Sequence, residues 1–519
     1  MSWKPEVDGI EERRRLAKEL GGAAGVERQH ALGRLTIRER IAAFADADSF
    51  REQGPIAGHS ELDENGALRS FTPANYVLGL ARVDGRPVVL GGEDFTQRGG
   101  SPTPAGLRKS VYAEELAVEY QLPLVRFLQG GGGSVVGAQG GKGPRPPGDA
   151  VYATHRFLSI ARAMQTAPVV SAALGAVAGF PAARLVASHL AVMTRESAQV
   201  MVAGPAVVER AMGETLSKDE LGGGAVHGRN GVVDLVVEDE VAAFAAMRRF
   251  LGYLPSNVHA LPPLAACEDP PDRTEEALLD AIPQERRKVY AMRKIVAAVV
   301  DRDSFFELGR GYGRSQITGL ARLGGRPVGV WANDPHFYAG AMSARGARKV
   351  RRFVDLCDAF HLPVVAFVDE PGFMLGARAE ADATIRFGTE AMFAVVQSTV
   401  PWASVIVRKT YGVAAAAHFG PGAFVLAWPS SEGGALPLEG GVAVAFRREI
   451  EAAEDPDALR HEIEERLAAA RSAFPRAESF GVHDLIDPRT TRPRLCEWLA
   501  WVQPRLEQHV GVRTHALRP

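Results

Sequence analysis

The sequence predicts an α/β chain built from two copies of one domain, and three observations predict it. Strand-like apolar runs alternate with helix-length stretches in each half, the pattern of sheets covered by helices. The run Leu122 to Leu128 stops at four glycines, Gly130 to Gly133, which reads as a buried parallel strand handing its backbone to a tight turn. The third observation is repetition. At an offset of 240 residues, Leu122, Pro123, Val125 and Gly132 fall on Leu362, Pro363, Val365 and Gly372. Gly85-Arg86-Pro87-Val88 falls on Gly325-Arg326-Pro327-Val328, Asp94 on Asp334, Gly100 on Gly340, and Arg108-Lys109 on Arg348-Lys349. So many collinear identities at one spacing imply a duplicated domain, with a period far too long for a solenoid.

The elements follow in order. Helices are predicted over Gly9–Leu20 and Arg28–Phe44, the second from Leu32, Leu35, Ile37 and Ile41 at near-helical spacing. Val77–Leu90 reads as a hairpin around Asp84-Gly85, because that dipeptide suits the tight turns that join antiparallel strands. Helix Thr103–Tyr120 leads into the glycine-ended strand, and Lys142–Gly148 is a proline-rich loop. Next come helix Val151–Gln165, strand Pro168–Phe180 breaking at Gly175 and Gly179, and strand Leu185–Thr194. Helix Ala206–Met212, strand Val232–Val237 and helix Val241–Leu251 close a first domain, residues 1–252. Prolines among acidic residues mark 253–285 as a linker. The second domain, 286–519, repeats the order with strands Ser315–Leu323, Pro327–Ala332, Pro363–Val368 and Trp402–Arg408, and helices Ser343–Phe360 and Ala381–Val396.

Composition narrows the function. Lys+Arg 60 against Asp+Glu 62 leaves a net charge of −2, unlike a nucleic-acid or membrane-surface protein. Three scattered cysteines suggest neither a disulfide framework nor a zinc site. The N-terminus lacks the apolar core of a signal peptide, and no apolar run is long enough to span a bilayer, so a cytoplasmic location is expected.

Neither half carries a G-x-S-x-G elbow, a phosphate-binding lysine loop, an H-E-x-x-H pair or a dinucleotide fingerprint. Each half instead delivers two glycine-rich strand ends: Gly130–Gly133 with Gly175–Gly179, and Pro371–Gly376 with Gly412–Ala417. Backbone amides at such turns can hold an oxyanion, and one preorganised donor is worth roughly 10²–10³ in rate. Two such holes suit a reaction that builds negative charge on both partners.

The motifs RQHALGRLTIRERI (Arg28–Ile41), GGEDFTQRGGS (Gly91–Ser101), LPLVRFLQGGGG (Leu122–Gly133) and LPVVAFVDEPGFMLG (Leu362–Gly376) carry a resemblance. So do the stretch Thr384–Gly412, AWPSSE (Ala427–Glu432) and FGVHDLIDPRTTRP (Phe480–Pro493). The chain resembles the carboxyltransferase (beta) subunits of biotin-dependent acyl-CoA carboxylases, of the propionyl-CoA carboxylase type. The resemblance implies two tandem crotonase-like domains, an acyl-CoA side in the first and a biotin side in the second, and a homohexamer. It also implies a separate biotin carboxylase and biotin carrier as partners. Carboxybiotin and the coenzyme A thioester are the two ligands, and no metal is expected.

The family's chemistry uses no side-chain nucleophile: the biotin ureido nitrogen takes the substrate's α-proton, and the enolate attacks CO₂. By resemblance the first hole falls to Gly132, Gly133, Gly175 and Gly179, and the second to Gly372, Phe373, Gly412, Val413 and Ala414. Arg98 and Lys109 are the expected contacts for coenzyme A, with Pro371 and Tyr411 on the biotin side. Phe180 and Val413 stand where the family pattern has glycine, so those two positions must keep a negative φ if the amides are to serve. A non-carboxylating assembly subunit and a decarboxylase of a malonyl-type thioester remain alternatives at this level.

Overall fold

A computed structural model of the protein describes residues 2–132, 157–286, 288–470 and 472–513. The chain divides into two compact units, Met1–Val258 and His259–His515. In the first, eight strands form one sheet: β1 (Arg51–Glu52), β2 (Tyr76–Val83), β3 (Arg86–Glu93), β4 (Leu124–Gly130), β5 (Val169–Ala178), β6 (Leu190–Thr194), β7 (Gln199–Met201) and β8 (Leu235–Val237). Their order is β1-β2-β3-β4-β5-β6-β8, with β7 paired to β5. The β1/β2 and β2/β3 pairs are antiparallel and the rest parallel.

The second unit repeats that sheet strand for strand. Its members are β9 (Phe306–Leu308), β10 (Gln316–Leu323), β11 (Arg326–Asn333), β12 (Val364–Glu370), β13 (Trp402–Tyr411), β14 (Phe424–Ala427), β15 (Glu432–Gly434) and β16 (Asp484–Leu485). They run β9-β10-β11-β12-β13-β14-β16, with β15 on β13. Even the register repeats: Val89 faces Leu124 in one unit, and Gly329 faces Val364 in the other. Beyond that point the offset falls to 233, since Leu124 faces Val169 and Val364 faces Trp402. The two sheets share one architecture, as the duplication implies.

Local sequence explains the shared elements. The hairpin turn holds Asp84 at φ 51 and Gly85 at φ 78, and Gly324 and Gly325 repeat it at φ 56 and φ 78. Both central residues with positive φ make the turn whose twist matches the strands it joins. Helix α1 (Pro104–Tyr120) starts where the Thr103 side chain accepts the Gly106 N–H, and α2 (Ala344–Ala359) starts where Ser343 does the same for Gly346. Strands β4 and β12 are buried along their whole length, as parallel strands covered on both faces require.

Three expectations shift. Arg28–Phe44 is two helices, Ala23–Ala31 and Ile37–Phe44, because Thr36 and Glu39 form a capping box that restarts the helix. Leu185 belongs to helix α3 (Phe180–Val186), and the strand begins only at Leu190; an apolar run does not tell a buried helix from a strand. The Val151–Gln165 helix is found as Phe157–Thr166, with 151–156 and the loop Lys142–Gly148 outside the described residues. The proline-rich stretch after His259 is tied into the second unit by Arg492, which pairs with Asp301 at 2.8 Å and with Asp269 at 3.6 Å. Among the described residues no helix is long and apolar enough to cross a membrane.

Candidate functional site

In the first unit the ends of β4 and β5 meet. Gly179 follows β5 with φ 66 and ψ −128, a conformation open essentially to glycine alone. A Cβ there would lie 3.1 Å from the Gly132 Cα, so the two main chains touch at this corner. The Gly131 N–H donates to the Gly99 carbonyl at 3.2 Å, and the Ser101 hydroxyl to the Gly132 carbonyl at 3.3 Å, holding the β4 end in place. Gly179 itself donates to the Met201 carbonyl at 3.2 Å, so its role here is to permit the approach. Helix α3 begins immediately after it.

Gly133 lies outside the described residues. Gly175 lies within β5 and away from that corner: a Cβ would come within 2.7 Å of the Gln129 side chain. Its glycine makes room for Gln129, which exchanges hydrogen bonds with Gln29 at 2.7 and 3.1 Å. Sequence spacing grouped Gly175 with Gly179 because both interrupt one apolar run; only the strand's continuity through Ala178 separates them.

The second unit builds the same corner. β12 ends at Glu370, and Pro371-Gly372-Phe373 turns away with Gly372 at φ 127. The turn is pinned to Met342, whose N–H donates to the Gly372 carbonyl at 3.1 Å and whose carbonyl accepts from Met374 at 2.9 Å. Gly372 donates its own N–H to Glu370 Oε1 at 3.1 Å and is therefore engaged. The Phe373 N–H makes no hydrogen bond to the described residues. After β13, Gly412 stands at φ 64 and opens α4 (Gly412–Ala416), whose first-turn amides belong to Gly412, Val413 and Ala414. Val413 keeps a negative φ, as does Phe180 in the matching place, so each non-glycine residue follows the glycine that takes the unusual conformation. Tyr411 is buried beneath this turn, and Pro371 is half-buried.

Glu370 is the residue whose part here the sequence did not single out. It accepts from the N–H groups of Gly372 and Met342 and from Asn333 Nδ2, at 3.1, 3.2 and 3.0 Å. Burial holds its carboxyl well above the ordinary range. His418 Nε2 stands 3.5 Å from its other oxygen and stacks on Trp331 with ring centroids 3.8 Å apart. Burial lowers the His418 pKa to about 3, so this is a neutral pair that braces the turn. The signal in the sequence is the pair Asp369-Glu370 at a strand end before a glycine turn.

The expected coenzyme A contacts diverge. Arg98 is exposed at a turn, with φ 52. Lys109 is buried, donates to the Gly54 carbonyl at 3.1 Å and lies 3.8 Å from Glu52; burial pulls its pKa down to about 8. Its duplicate Lys349 likewise donates to a backbone carbonyl, that of Gln316, at 2.7 Å.

With this geometry in view, comparison with known proteins is direct: a model described as the carboxyl transferase domain matches residues 28–515. The chain belongs to the carboxyl transferase family. It is 32% identical to the propionyl-CoA carboxylase carboxyltransferase subunit of Haloferax mediterranei, over 95% of each chain. It is 31% identical to the methylmalonyl-CoA decarboxylase subunit alpha of Veillonella parvula, over 97% of this chain and 96% of that one. A crystal structure of the transcarboxylase 12S hexamer, with methylmalonyl-coenzyme A and methylmalonic acid bound, matches with a TM-score of 0.87 at 29% identity, covering 99% of this chain and 98% of that one. Within the carboxyl transferase frame, the two corners are a duplicated feature.

Proposed function

We propose that this chain is the carboxyltransferase subunit of a biotin-dependent acyl-CoA carboxylase, moving a carboxyl group from carboxybiotin to the α-carbon of a short, propionyl-CoA-like thioester. One observation carries the reading: the same corner occurs in both units, a glycine at positive φ followed by a short helix, facing a second glycine turn at the end of the neighbouring strand. Amides at Gly132 and around α3 would receive the thioester enolate oxygen. Those of Phe373, Val413 and Ala414 would receive the ureido oxygen of biotin. Such donors need no reorganisation as charge develops, which is why no nucleophile is required. The hexamer of the transcarboxylase 12S relative supports a hexamer of this chain, which works with a separate biotin carboxylase and biotin carrier in the cytoplasm.

The test combines the purified protein with biotinylated carrier, biotin carboxylase, ATP, bicarbonate and a panel of acyl-CoAs. Carboxylation of a short acyl-CoA is expected. Loss of the carboxyl group from methylmalonyl-CoA without biotin would transfer the reading to a decarboxylase, and carboxylation of none would make the chain an assembly subunit.

A further inference from the structure

Beside Gly132 the first unit holds a cavity of about 80 Å³, lined by Tyr76, Glu93, Leu107, Phe180 and Arg184. It has room for a group of a few atoms and none for a long chain. Its walls carry polar groups that the fold does not explain. Arg184 is 3% exposed; its Nε donates to Glu114 Oε1 at 2.8 Å and its Nη1 to the Ser110 hydroxyl at 2.9 Å. Its Nη2 has no hydrogen-bond partner among the described residues, and its guanidinium lies 4.5 Å from the centre of the Phe180 ring. An unmatched buried donor costs about 1–3 kcal/mol, so it calls for an explanation. Glu93 is also buried and accepts the Gln129 N–H at 3.2 Å.

The duplication supplies an internal control. At the offset of 240, Tyr76 becomes Gln316, Glu93 becomes Asn333 and Gly91 becomes Trp331; at the offset of 233, Arg184 becomes Ala417. In the second unit the corresponding groups satisfy one another. Gln316 accepts from Trp331 Nε1 at 2.8 Å and donates to the Gly340 carbonyl at 3.0 Å, whereas in the first unit a Cβ on Gly91 would lie 3.1 Å from the Tyr76 ring. The same sheet therefore forms without the arginine and the glutamate at these positions.

Charge selects among ligands. Both nearby guanidinium groups, Arg126 and Arg184, are engaged by Glu114, and Glu93, whose pKa burial raises, adds a carboxyl group to the wall rather than a cation. A hydroxyl both donates and accepts, and it fits between a carboxyl group and an unmatched N–H. We propose that this cavity is the acyl pocket and that it selects an acyl group bearing a hydroxyl one carbon beyond the α-carbon, held between Glu93 and the Nη2 of Arg184, with the Tyr76 hydroxyl alongside. This rests on the acyl-CoA reading above and names the substrate class within it.

The test is calorimetric binding of 3-hydroxybutyryl-CoA, butyryl-CoA and succinyl-CoA to the full chain, none of which reacts without carboxybiotin. Sites built to hydrogen-bond a hydroxyl discriminate strongly against its absence. We expect at least roughly tenfold tighter binding of the hydroxyacyl thioester than of butyryl-CoA. Tyr76→Phe and Glu93→Gln, which keep shape, should each shrink that ratio, and Arg184→Met should bring it near one. Equal binding of the first two thioesters, tightest binding of succinyl-CoA, or a ratio unmoved by all three variants would overturn the proposal while leaving the carboxyltransferase reading intact. Failure of every thioester to bind would overturn the acyl-CoA reading and this pocket with it.

Discussion

Replacing Gly179 by alanine tests the corner most directly. Its φ of 66 and ψ of −128 lie where an L-residue is strained by about 1–3 kcal/mol. The added methyl would also sit 3.1 Å from the Gly132 Cα, closer than ordinary van der Waals contact, so one of the two turns must move by a few tenths of an ångström. Hydrogen bonds weaken steeply as they bend, and losing one preorganised donor costs roughly 10²–10³ in rate. Gly213→Ala is the matched control: its φ of 72 and ψ of 16 are also left-handed, but nothing lies within 4 Å of the new methyl. Both variants should lose stability in denaturant unfolding, Gly213→Ala by about 1 kcal/mol. Only Gly179→Ala should lose roughly 10²-fold or more in kcat/KM for carboxylation, measured with carboxylated biotin carrier and a short acyl-CoA. A folded Gly179→Ala protein turning over within about threefold of wild type would refute the claim that the Gly132–Gly179 approach sets the first hole.

Three further outcomes are expected. Val413→Pro removes one amide at the first turn of α4, where helix geometry needs no donor; it should cut turnover roughly 10²-fold, whereas Val413→Ala should leave it nearly unchanged. Arg492→Met strips the partner from buried Asp301 and should cost about 3–5 kcal/mol in thermal or denaturant unfolding. The Glu370–His418 pair predicts opposite pH slopes for its two deletions. Burial raises the Glu370 pKa and lowers that of His418, so on the acid side of neutrality the native pair carries its proton on Glu370. The unfolded chain also holds one, on His418, so this pair contributes no slope. In Glu370→Gln only the unfolded state is protonated, and stability should fall as pH falls, by about 1.4 kcal/mol per unit. In His418→Phe only the native state is, and stability should rise as pH falls; urea midpoints at pH 4.5, 5.5 and 6.5, at fixed protein concentration, measure both.

The sequence alone determined the duplication, the α/β class and the glycine turns at strand ends, because identical residues at one offset and apolar runs ending in glycine are local, one-dimensional signals. Gly132 and Gly372, in register at 240, were legible for that reason. Gly179 and Gly412 could be located only approximately, since the strands that lead to them are offset by 233. Tertiary structure decided the rest. Whether an interrupting glycine opens a turn, as Gly179 does, or clears space for a neighbour's side chain, as Gly175 does for Gln129, depends on contacts between strands far apart in the chain. Likewise nothing near Lys109 in sequence announces that it is turned inward to the Gly54 carbonyl, or that Glu93 and Arg184, 91 residues apart, line one cavity. Burial and pairing are properties of packing, and packing exists only once the sheet has formed.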